Sequence, residues 1–369
     1  MRWAALFLAS QPRSQALVSW HQGAQRSDGG RWAILEEEAD QRNVVYIGDV
    51  GGGSLVGDVA RGLGSSEERA RALVEIGAVW WRSCDESGRW RRVWSTELPA
   101  EATALRVYPR PRRFEACYCD WSERLCYVDS AYVVVDKPPM LPTQADNGNS
   151  VECVAACVSR HSDLGILRPA HRLDAVVGGC LVLARNRKAL AAFEGWTKQR
   201  RVSKYYVALT TVPVRERDVD HDMLLPATPE DREKHDTLFG PGPRLVRPKG
   251  DADDRGFSSA SWKPCKLKII ERSKHVAGSG FYETRLRLVT GRPHQIRAQF
   301  AAIGAELVGD TLYAPGPLAV LWEDHVDPAA LAAARRDLSA PTAPIGLSAR
   351  AISFAGRDIH ATLAPWWRA

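Results

Sequence analysis

The sequence predicts an α+β fold for this chain of 369 residues. Short β-prone runs alternate with fewer helical segments from residue 127 onward, which is typical of an α+β domain. A helix–glycine–strand unit precedes that region, and a hydrophobic fraction of 45% is enough for a sizeable core. We therefore predict a tail over 1–44, a small α/β module with its linker over 45–113, and a larger domain over 120–369.

The small module begins with a glycine-rich run and then a helix. Residues 45–53 follow no phosphate-loop spacing and predict a flexible loop. Residues 65–79 predict a helix, with a serine N-cap, glutamates in the first turn and a glycine at its end. Strands are predicted at 78–81 and 104–108. The basic, proline-rich run 109–113 predicts a stiff exit linker, which either holds a polyanion or is an ordinary solvated surface.

The larger domain carries alternating strand and helix patterns up to its last predicted strand. The predicted elements are strands at 132–136, 181–184, 204–210, 265–270 and 282–289, and helices at 151–158 and 189–197. Residues 214–262 are rich in Asp, Arg, Pro and Gly and show no periodicity. We therefore predict that they form a long surface insertion.

The bulk chemistry narrows the functional classes. The net charge of +6 is mild, so it permits a polyanionic partner without requiring one. No run of about 18 apolar residues is present, which predicts no transmembrane helix. The eight cysteines are spread along a long chain without a C-x-x-C pair, which indicates reduced thiols in an intracellular protein and no metal site.

The N-terminal tail has two interpretations. Its first acidic residue is Asp28, and arginines precede it, as in an organelle transit peptide. The alternative is a disordered tail without a targeting role. We therefore predict either the cytoplasm or an organelle, a chloroplast or a mitochondrion, as the location.

Three segments carry polar residues in patterns that suggest chemistry. The first is His171-Arg172-Leu173-Asp174, followed by Gly178-Gly179 before a strand. An Arg beside the Asp holds a carboxylate ionised and oriented, and glycines let a ligand approach the backbone. Outside a wider context, however, Arg–Asp pairs are mostly structural salt bridges.

The second and third segments supply an aromatic ring and a cluster of hydrogen-bond donors. In the strand at 204–208, alternation places Tyr206 on one face with Lys204 and Ala208, where its ring either stacks on a nucleobase or fills a core. The run 289–297 follows a glycine turn with two arginines, a histidine and a glutamine. Such a cluster suits phosphates and base edges.

Taken in order, these motifs resemble the RluA family of pseudouridine synthases. The matching motifs are H-R-L-D with a downstream glycine, K-x-Y-x-A, T-G-R-x-H-Q-I-R, and Val308-Gly309-Asp310 with Tyr313, over about residues 125–355. Residues 63–108 also resemble a degenerate alpha-L RNA-binding module. The resemblance implies a mixed, mostly antiparallel sheet with flanking helices and a central RNA-binding cleft. It also implies isomerisation of uridine in rRNA or tRNA, without a cofactor, by a monomer.

The resemblance assigns roles to individual residues. Asp174 is the implied catalytic aspartate, acting as a nucleophile or as the base that removes a ribose proton. Tyr206 would pack against the flipped target base, and Arg297 would pair with Asp174. The residues that would bind substrate are His171, Arg172, Lys204, Arg292, His294, Gln295 and Leu347.

The sequence departs from the family pattern at three places. Val177-Gly178 stands where Thr-Ser is usual, Pro293 replaces a threonine, and Ser348 replaces a histidine. A decayed synthase that only binds RNA is therefore the main alternative. A glycoside hydrolase is a third reading, but it requires a second catalytic acid that these segments do not supply.

Overall fold

The fold is described from a computed structural model of the chain. It covers residues 43–48, 50, 54–83, 88–161, 164–239, 243–251, 255–314, 327, 329–330, 333–334 and 341–368. The predicted transit segment up to residue 42, the glycines at 51–53 and Cys84 lie outside the described residues. No helix in the described part is long and apolar enough to cross a membrane.

The N-terminal unit combines two helices with a four-stranded antiparallel sheet. Its elements are β1 (Val45–Gly48), α1 (Leu55–Leu63), α2 (Glu67–Ile76), β2 (Val79–Ser83), β3 (Arg91–Arg92) and β4 (Ala102–Val107). The strand order is β1-β4-β2-β3. Ser66 caps α2 by accepting from the backbone of Arg69, and Gly77 ends it in a left-handed conformation, as the sequence predicts.

One face of this sheet packs on the two helices. Val79, Trp81 and Leu105 are buried there among residues from both helices. The strands alternate, so the residues between them point away from the helices. The unit therefore has its own hydrophobic core between the sheet and the two helices. The opposite face of the sheet points away from the helices.

The larger domain is built around an 11-stranded sheet. Its elements are β5 (Leu125–Val128), β6 (Tyr132–Lys137), α3 (Val154–His161), β7 (Arg168–Pro169), β8 (Gly178–Ala184), α4 (Arg187–Lys198), β9 (Ser203–Thr210), β10 (Asp218–Leu224), α5 (Pro229–Leu238), β11 (Val246–Pro248), β12 (Trp262–His275), β13 (Tyr282–Leu288), α6 (Gln295–Ala302), β14 (Leu347–Phe354) and β15 (Arg357–His360). The α+β fold and the predicted strands are confirmed, while the helix predicted at 151–158 begins three residues later.

The sheet is mixed and mostly antiparallel. Its strands follow the order β11-β10-β12-β13-β9-β14-β8-β6-β5, with β15 beside β14 and β7 beside β8. Among the described pairs, β14 and β8 run parallel and the others antiparallel. The strands β8, β9 and β14, which carry the polar motifs or adjoin them, therefore lie together in the middle of the sheet.

The prediction of a surface insertion over 214–262 is wrong. The region supplies β10, α5 and β11, and Met223, Leu224 and Leu245 are fully buried in a cluster with α6. The strand pattern was readable, because Val219 and Met223 alternate with polar residues. The abundance of charged residues obscured it, because three aspartates and a histidine alternate with or adjoin the buried residues of β10.

The linker over 109–113 is held firmly rather than only spanning two domains. Arg113 donates to both oxygens of Glu152, at 3.0 and 2.6 Å, and the Glu152 side chain is only 2% exposed. The N-terminal unit also binds the loop before α3 directly, since Ser150 donates its backbone N–H to Ile76 at 2.8 Å. Arg113 therefore has a structural partner, and the unit is fixed against the larger domain.

Candidate active site

The predicted site residues line one cleft of about 840 Å³. The cleft is lined by every residue predicted to act in catalysis or substrate binding, namely His171, Arg172, Asp174, Lys204, Tyr206, Arg292, His294, Gln295, Arg297 and Leu347. They come from the turn before β8, from β9, from the loop before α6 and its first turn, and from the start of β14. The structure therefore brings together residues from position 171 to position 347 of the chain.

Asp174 lies in the turn before β8, and two buried groups fix that turn. The hydroxyl of Thr143 donates to the carbonyl of Leu173 at 2.9 Å and accepts the Leu173 N–H at 3.2 Å. The ammonium of Lys137 donates to the carbonyl of Ala175 at 2.9 Å. The backbone is thus held on both sides of Asp174, whose side chain remains 30% exposed to the cleft.

Lys137 is fully buried at the end of β6. It also donates to the carbonyls of Pro138 and Leu141, so all three of its N–H groups have acceptors. Burial lowers the pKa of Lys137 to about 7, against an opposing effect of the charge of Asp174. Its role is to tie β6 to the turn that carries the carboxylate.

Arg297 joins two carboxylates. Its Nη1 donates to Asp174 at 3.2 Å, while Nε and Nη2 donate to the two oxygens of Asp310 at 2.7 Å each. Burial alone would lower the pKa of Arg297, but the hydrogen bonds and charge of Asp310, and then the charge of Asp174, raise it. The bidentate pair fixes the guanidinium plane, and the remaining nitrogen points at Asp174.

His294 stands beside Asp174 without a direct hydrogen bond, because its Nε2 is 3.8 Å from the carboxylate. It caps α6 in a left-handed conformation with φ of 54°. Its Nδ1 lies 3.3 Å from the phenol oxygen of Tyr313. Burial lowers the pKa of His294 and outweighs the opposing charge of Asp174, so the ring is neutral at neutral pH.

Two residues predicted to bind substrate are hydrogen-bonded to other parts of the fold. Gln295 accepts from Thr290 and from the backbone of Arg292, and it donates to Gln299, so it shapes the loop before α6. His171 accepts the backbone N–H of Val182 at 3.2 Å. Both side chains line the cleft and are also hydrogen-bonded within its wall.

The imidazole of His171 is also neutral. Burial, and then the charge of Lys204, lower its pKa well below the usual value. The ring stacks on Phe193 with centroids 5.9 Å apart. Because Nε2 accepts a hydrogen bond, the proton is on Nδ1.

The apolar side of the cleft comes from neighbouring strands. Tyr206 on β9 and Leu347 on β14 are 6% and 4% exposed, and Val177 precedes β8. Burial, and then the charge of Asp174, raise the pKa of Tyr206, so its phenol stays protonated. A flat apolar pocket next to the carboxylate suits the ring of a nucleobase.

The glycines after Asp174 have a different purpose from the one predicted. Gly179 has φ of +112°, and any side chain there would collide with the carbonyl of Ala349 on β14. The close approach is therefore between parallel strands and not between backbone and ligand. Ser348, one of the departures from the family pattern, pairs with Gly178 within the sheet and does not line the cleft.

Sequence reasoning missed four residues that hold or line the site. They are Lys137, Thr143, Arg244 and Asp310. Asp310 belongs to the V-G-D motif, and a carboxylate in a motif that follows the arginine-rich run is the signal that points to a partner for Arg297. Arg244 was concealed by the incorrect insertion over 214–262.

Comparisons with known proteins agree with this geometry. A family model described as RNA pseudouridylate synthase matches residues 131–302. RNA pseudouridine synthase 6, chloroplastic, of Arabidopsis thaliana is 31% identical over 80% of this chain and 67% of its own length. The protein of the same name from Oryza sativa subsp. japonica is 31% identical over 72% of this chain and 60% of its own length.

A bacterial relative extends the comparison. The dual-specificity RNA pseudouridine synthase RluA of Pasteurella multocida is 27% identical over 52% of this chain and 77% of its own length. The chain therefore belongs to the RNA pseudouridine synthase family, whose enzymes isomerise uridine to pseudouridine in RNA. Within that family its motifs and relatives place it with the RluA enzymes.

Proposed function

We propose that this chain converts uridine to pseudouridine in a structured RNA, rRNA or tRNA, through the carboxylate of Asp174. The observation that supports this most strongly is the position of Asp174. It is the carboxylate that combines partial exposure to the cleft with a hydrogen bond from the fixed guanidinium of Arg297. Tyr206 and Leu347 supply an apolar surface in the same cleft.

The proposed reaction uses the ionised carboxylate. The C1′–N1 bond of the target uridine breaks, the uracil rotates, and its carbon five bonds to C1′. Carbon five then loses its proton and N1 carries one, so the product is an isomer of the substrate. Asp174 acts as the nucleophile or as the base that takes a ribose proton, and both roles require its negative charge. Arg297 orients that carboxylate, because its own position is set by Asp310.

The target base must leave its stack to reach the cleft. Flipping a base costs a few kcal/mol, and stacking on an aromatic ring recovers about 1–3 kcal/mol. Tyr206 is the aromatic ring on the cleft wall near Asp174. The reaction is an isomerisation, so the proposal requires no cofactor.

The test compares wild-type protein with Asp174→Asn on transcribed RNA. Asp174→Asn removes the negative charge with little change in shape, so product should fall by more than about a thousandfold. Folding and RNA binding should stay close to wild type. Pseudouridine is quantified by chemical labelling and primer extension, and wild-type activity in the variant would remove the mechanism.

The same assay decides between the enzyme and a decayed synthase that only binds RNA. A wild-type protein that binds RNA but forms no pseudouridine would favour the decayed synthase. Two plant relatives carry the word chloroplastic in their names, and residues 1–27 contain arginines without acids. We therefore include location in an organelle in the proposal, and imaging of the tagged full chain tests it.

A further inference from the structure

The sheet of the N-terminal unit has an unusual outer face. In register across the four strands, Tyr46 on β1 lies beside Arg106 on β4, and Arg106 beside Trp80 on β2. Arg92 on β3 completes this row. The aromatic-arginine face is defined here as Tyr46, Trp80, Arg82, Trp90, Trp94 and Arg106.

Aromatic rings hold the arginines of this face. The guanidinium of Arg106 lies 4.9 Å from the ring centroid of Trp80 and 5.2 Å from that of Trp90. The guanidinium of Arg82 lies 4.9 Å from the Trp90 centroid. Such cation–π contacts fix the planes of the guanidinium groups without neutralising their charge.

Carboxylates do not compensate these arginines in the described part of the chain. No described Asp or Glu lies within ion-pair distance of Arg82 or Arg106, while the turn over 84–87 lies outside the described residues. Among the described residues, the face therefore presents positive charge on guanidinium groups that aromatic rings hold in place. A rigid guanidinium loses less conformational entropy when it binds an anion than a mobile one does.

Arg92 has a different task on the same sheet. It donates to the carbonyls of Gly77 and Asp146, and Trp80 donates its indole N–H to the carbonyl of Asn147 at 2.8 Å. The contacts to Asp146 and Asn147 join the sheet to the loop before α3, while the contact to Gly77 joins it to the end of α2. The aromatic-arginine face is therefore held in a fixed place relative to the domain that contains the cleft.

Two aromatic rings of the face remain open to solvent. Tyr46 is 66% exposed and Trp94 is 51% exposed. Exposed rings next to uncompensated arginines match single-stranded nucleic acid, because bases stack on the rings and phosphates pair with the guanidinium groups. In an RNA duplex the faces of the bases are stacked on one another and cannot stack on the protein's rings. An acidic protein would bind the arginines but would not account for the exposed aromatic rings.

We propose that the aromatic-arginine face binds an unpaired segment of the RNA substrate, at a site separate from the cleft. The partner class rests on the proposed function, since RNA is the substrate there. This second site would add affinity for RNA without touching the reacting base. Linking two contacts in one molecule raises the overall affinity through effective concentration.

The experiment measures binding of a fluorescein-labelled oligouridine and of an RNA duplex of equal length by fluorescence anisotropy. Asp174→Asn serves as the background, so that no substrate turns over. Tyr46→Ala with Trp94→Ala should weaken oligouridine binding by about tenfold and affect the duplex less. Arg82→Ala should lower the slope of log affinity against log salt by about 0.7.

Controls separate the face from general charge and from folding. Arg187→Ala removes one exposed charge at the start of α4, away from the face, and should leave affinity for oligouridine nearly unchanged. Tyr46→Phe with Trp94→Phe keeps both rings and should retain most of the affinity. Circular dichroism checks that each variant is folded.

Two results would overturn the proposal. One is unchanged oligouridine binding in folded Tyr46→Ala with Trp94→Ala protein. The other is an equal loss of affinity for the duplex and for the single strand. Because binding is measured without turnover, a failure of Asp174 to support catalysis would count against the proposed reaction and leave this binding result standing.

Discussion

Arginine is held in two different ways in two parts of this molecule. In the cleft, Arg297 donates two hydrogen bonds to Asp310 and one to Asp174, so one cation faces two carboxylates. In the N-terminal unit, Arg106 lies between Trp80 and Trp90 and has no carboxylate partner among the described residues. Carboxylates thus compensate the charge of the guanidinium that orients Asp174, whereas no described carboxylate compensates Arg82 or Arg106.

This difference indicates that the arginines in the two regions use their positive charge for different purposes. A guanidinium that is paired with carboxylates can orient a neighbouring side chain. It attracts a phosphate only weakly, because the nearby negative charges cancel its electrostatic field. An uncompensated guanidinium attracts phosphate and makes binding depend on salt. Arg297 is therefore a positioning residue of the cleft, while Arg82 and Arg106 contribute to RNA affinity.

Arg297→Ala should have the largest effect on stability, well above that of Arg106→Ala. Removal of Arg297 leaves the buried carboxylate of Asp310, whose side chain is 1% exposed, without its partner. We expect a loss of about 3–5 kcal/mol in the free energy of unfolding, and a loss of activity with it. Arg106→Ala should cost only about 1 kcal/mol.

Urea denaturation followed by circular dichroism measures both values. If the two variants were equally destabilised, or if Arg297→Ala turned over normally, the contrast between the two kinds of arginine would fail. Asp310→Asn gives an independent check, because it should lower activity while RNA binding stays unchanged.

Lys137→Met should have the next largest effect. Like Arg297, Lys137 has its cationic group hydrogen-bonded inside the fold. The substitution keeps the length of the side chain but leaves the carbonyls of Pro138, Leu141 and Ala175 without a donor. We expect a loss of about 2 kcal/mol in the free energy of unfolding and reduced turnover, since Ala175 follows Asp174.

Lys188→Met, on the exposed side of α4, is the matched control and should be nearly neutral. Thermal melts of the two variants check this. Equal melting temperatures for Lys137→Met and wild type would show that the three carbonyls do not depend on the ammonium.

The smallest expected effect is a change in RNA affinity that depends on Lys204. It tests whether this cation in the cleft contributes to RNA binding. Burial lowers the pKa of Lys204 to about 8. The ammonium is present below that pH and is lost as the pH rises through it. We therefore expect RNA affinity to fall by about fivefold, roughly 1 kcal/mol, between pH 7 and 9.

Lys204→Arg keeps its charge over this range, so its affinity should stay nearly flat with pH. Anisotropy titrations of the Asp174→Asn background at several pH values give the comparison. A fall of the same size in Lys204→Arg would assign the pH dependence to another group.

Part of the cleft could be predicted from regular structure, since Tyr206 follows the strand alternation of β9. Arg297 lies in the first turn of α6, a helix that the sequence did not predict, so its assignment depended on the family resemblance. The pairing of Asp310 with Arg297 was not predictable in this way. This pairing depends on the backbone path between the two residues, including residues 303–309. It also depends on two parallel hydrogen bonds between the guanidinium and the carboxylate, which the spacing in the sequence does not specify.

The errors have a common physical origin in tertiary contacts. The charged composition of 214–262 hid a strand that is held by its neighbours β11 and β12. Gly179 is required by the close approach of β14, which comes from about 170 residues later in the chain. The aromatic-arginine face also depends on register across four strands, which single segments do not show.

The most direct test of the account measures single-turnover formation of pseudouridine with enzyme in excess over RNA, at rising enzyme concentration. We predict that Asp174→Asn binds RNA but yields no product even at saturation. Tyr46→Ala with Trp94→Ala should need more enzyme and then reach the wild-type rate. Product formation by Asp174→Asn at the wild-type rate would contradict the central role of that carboxylate.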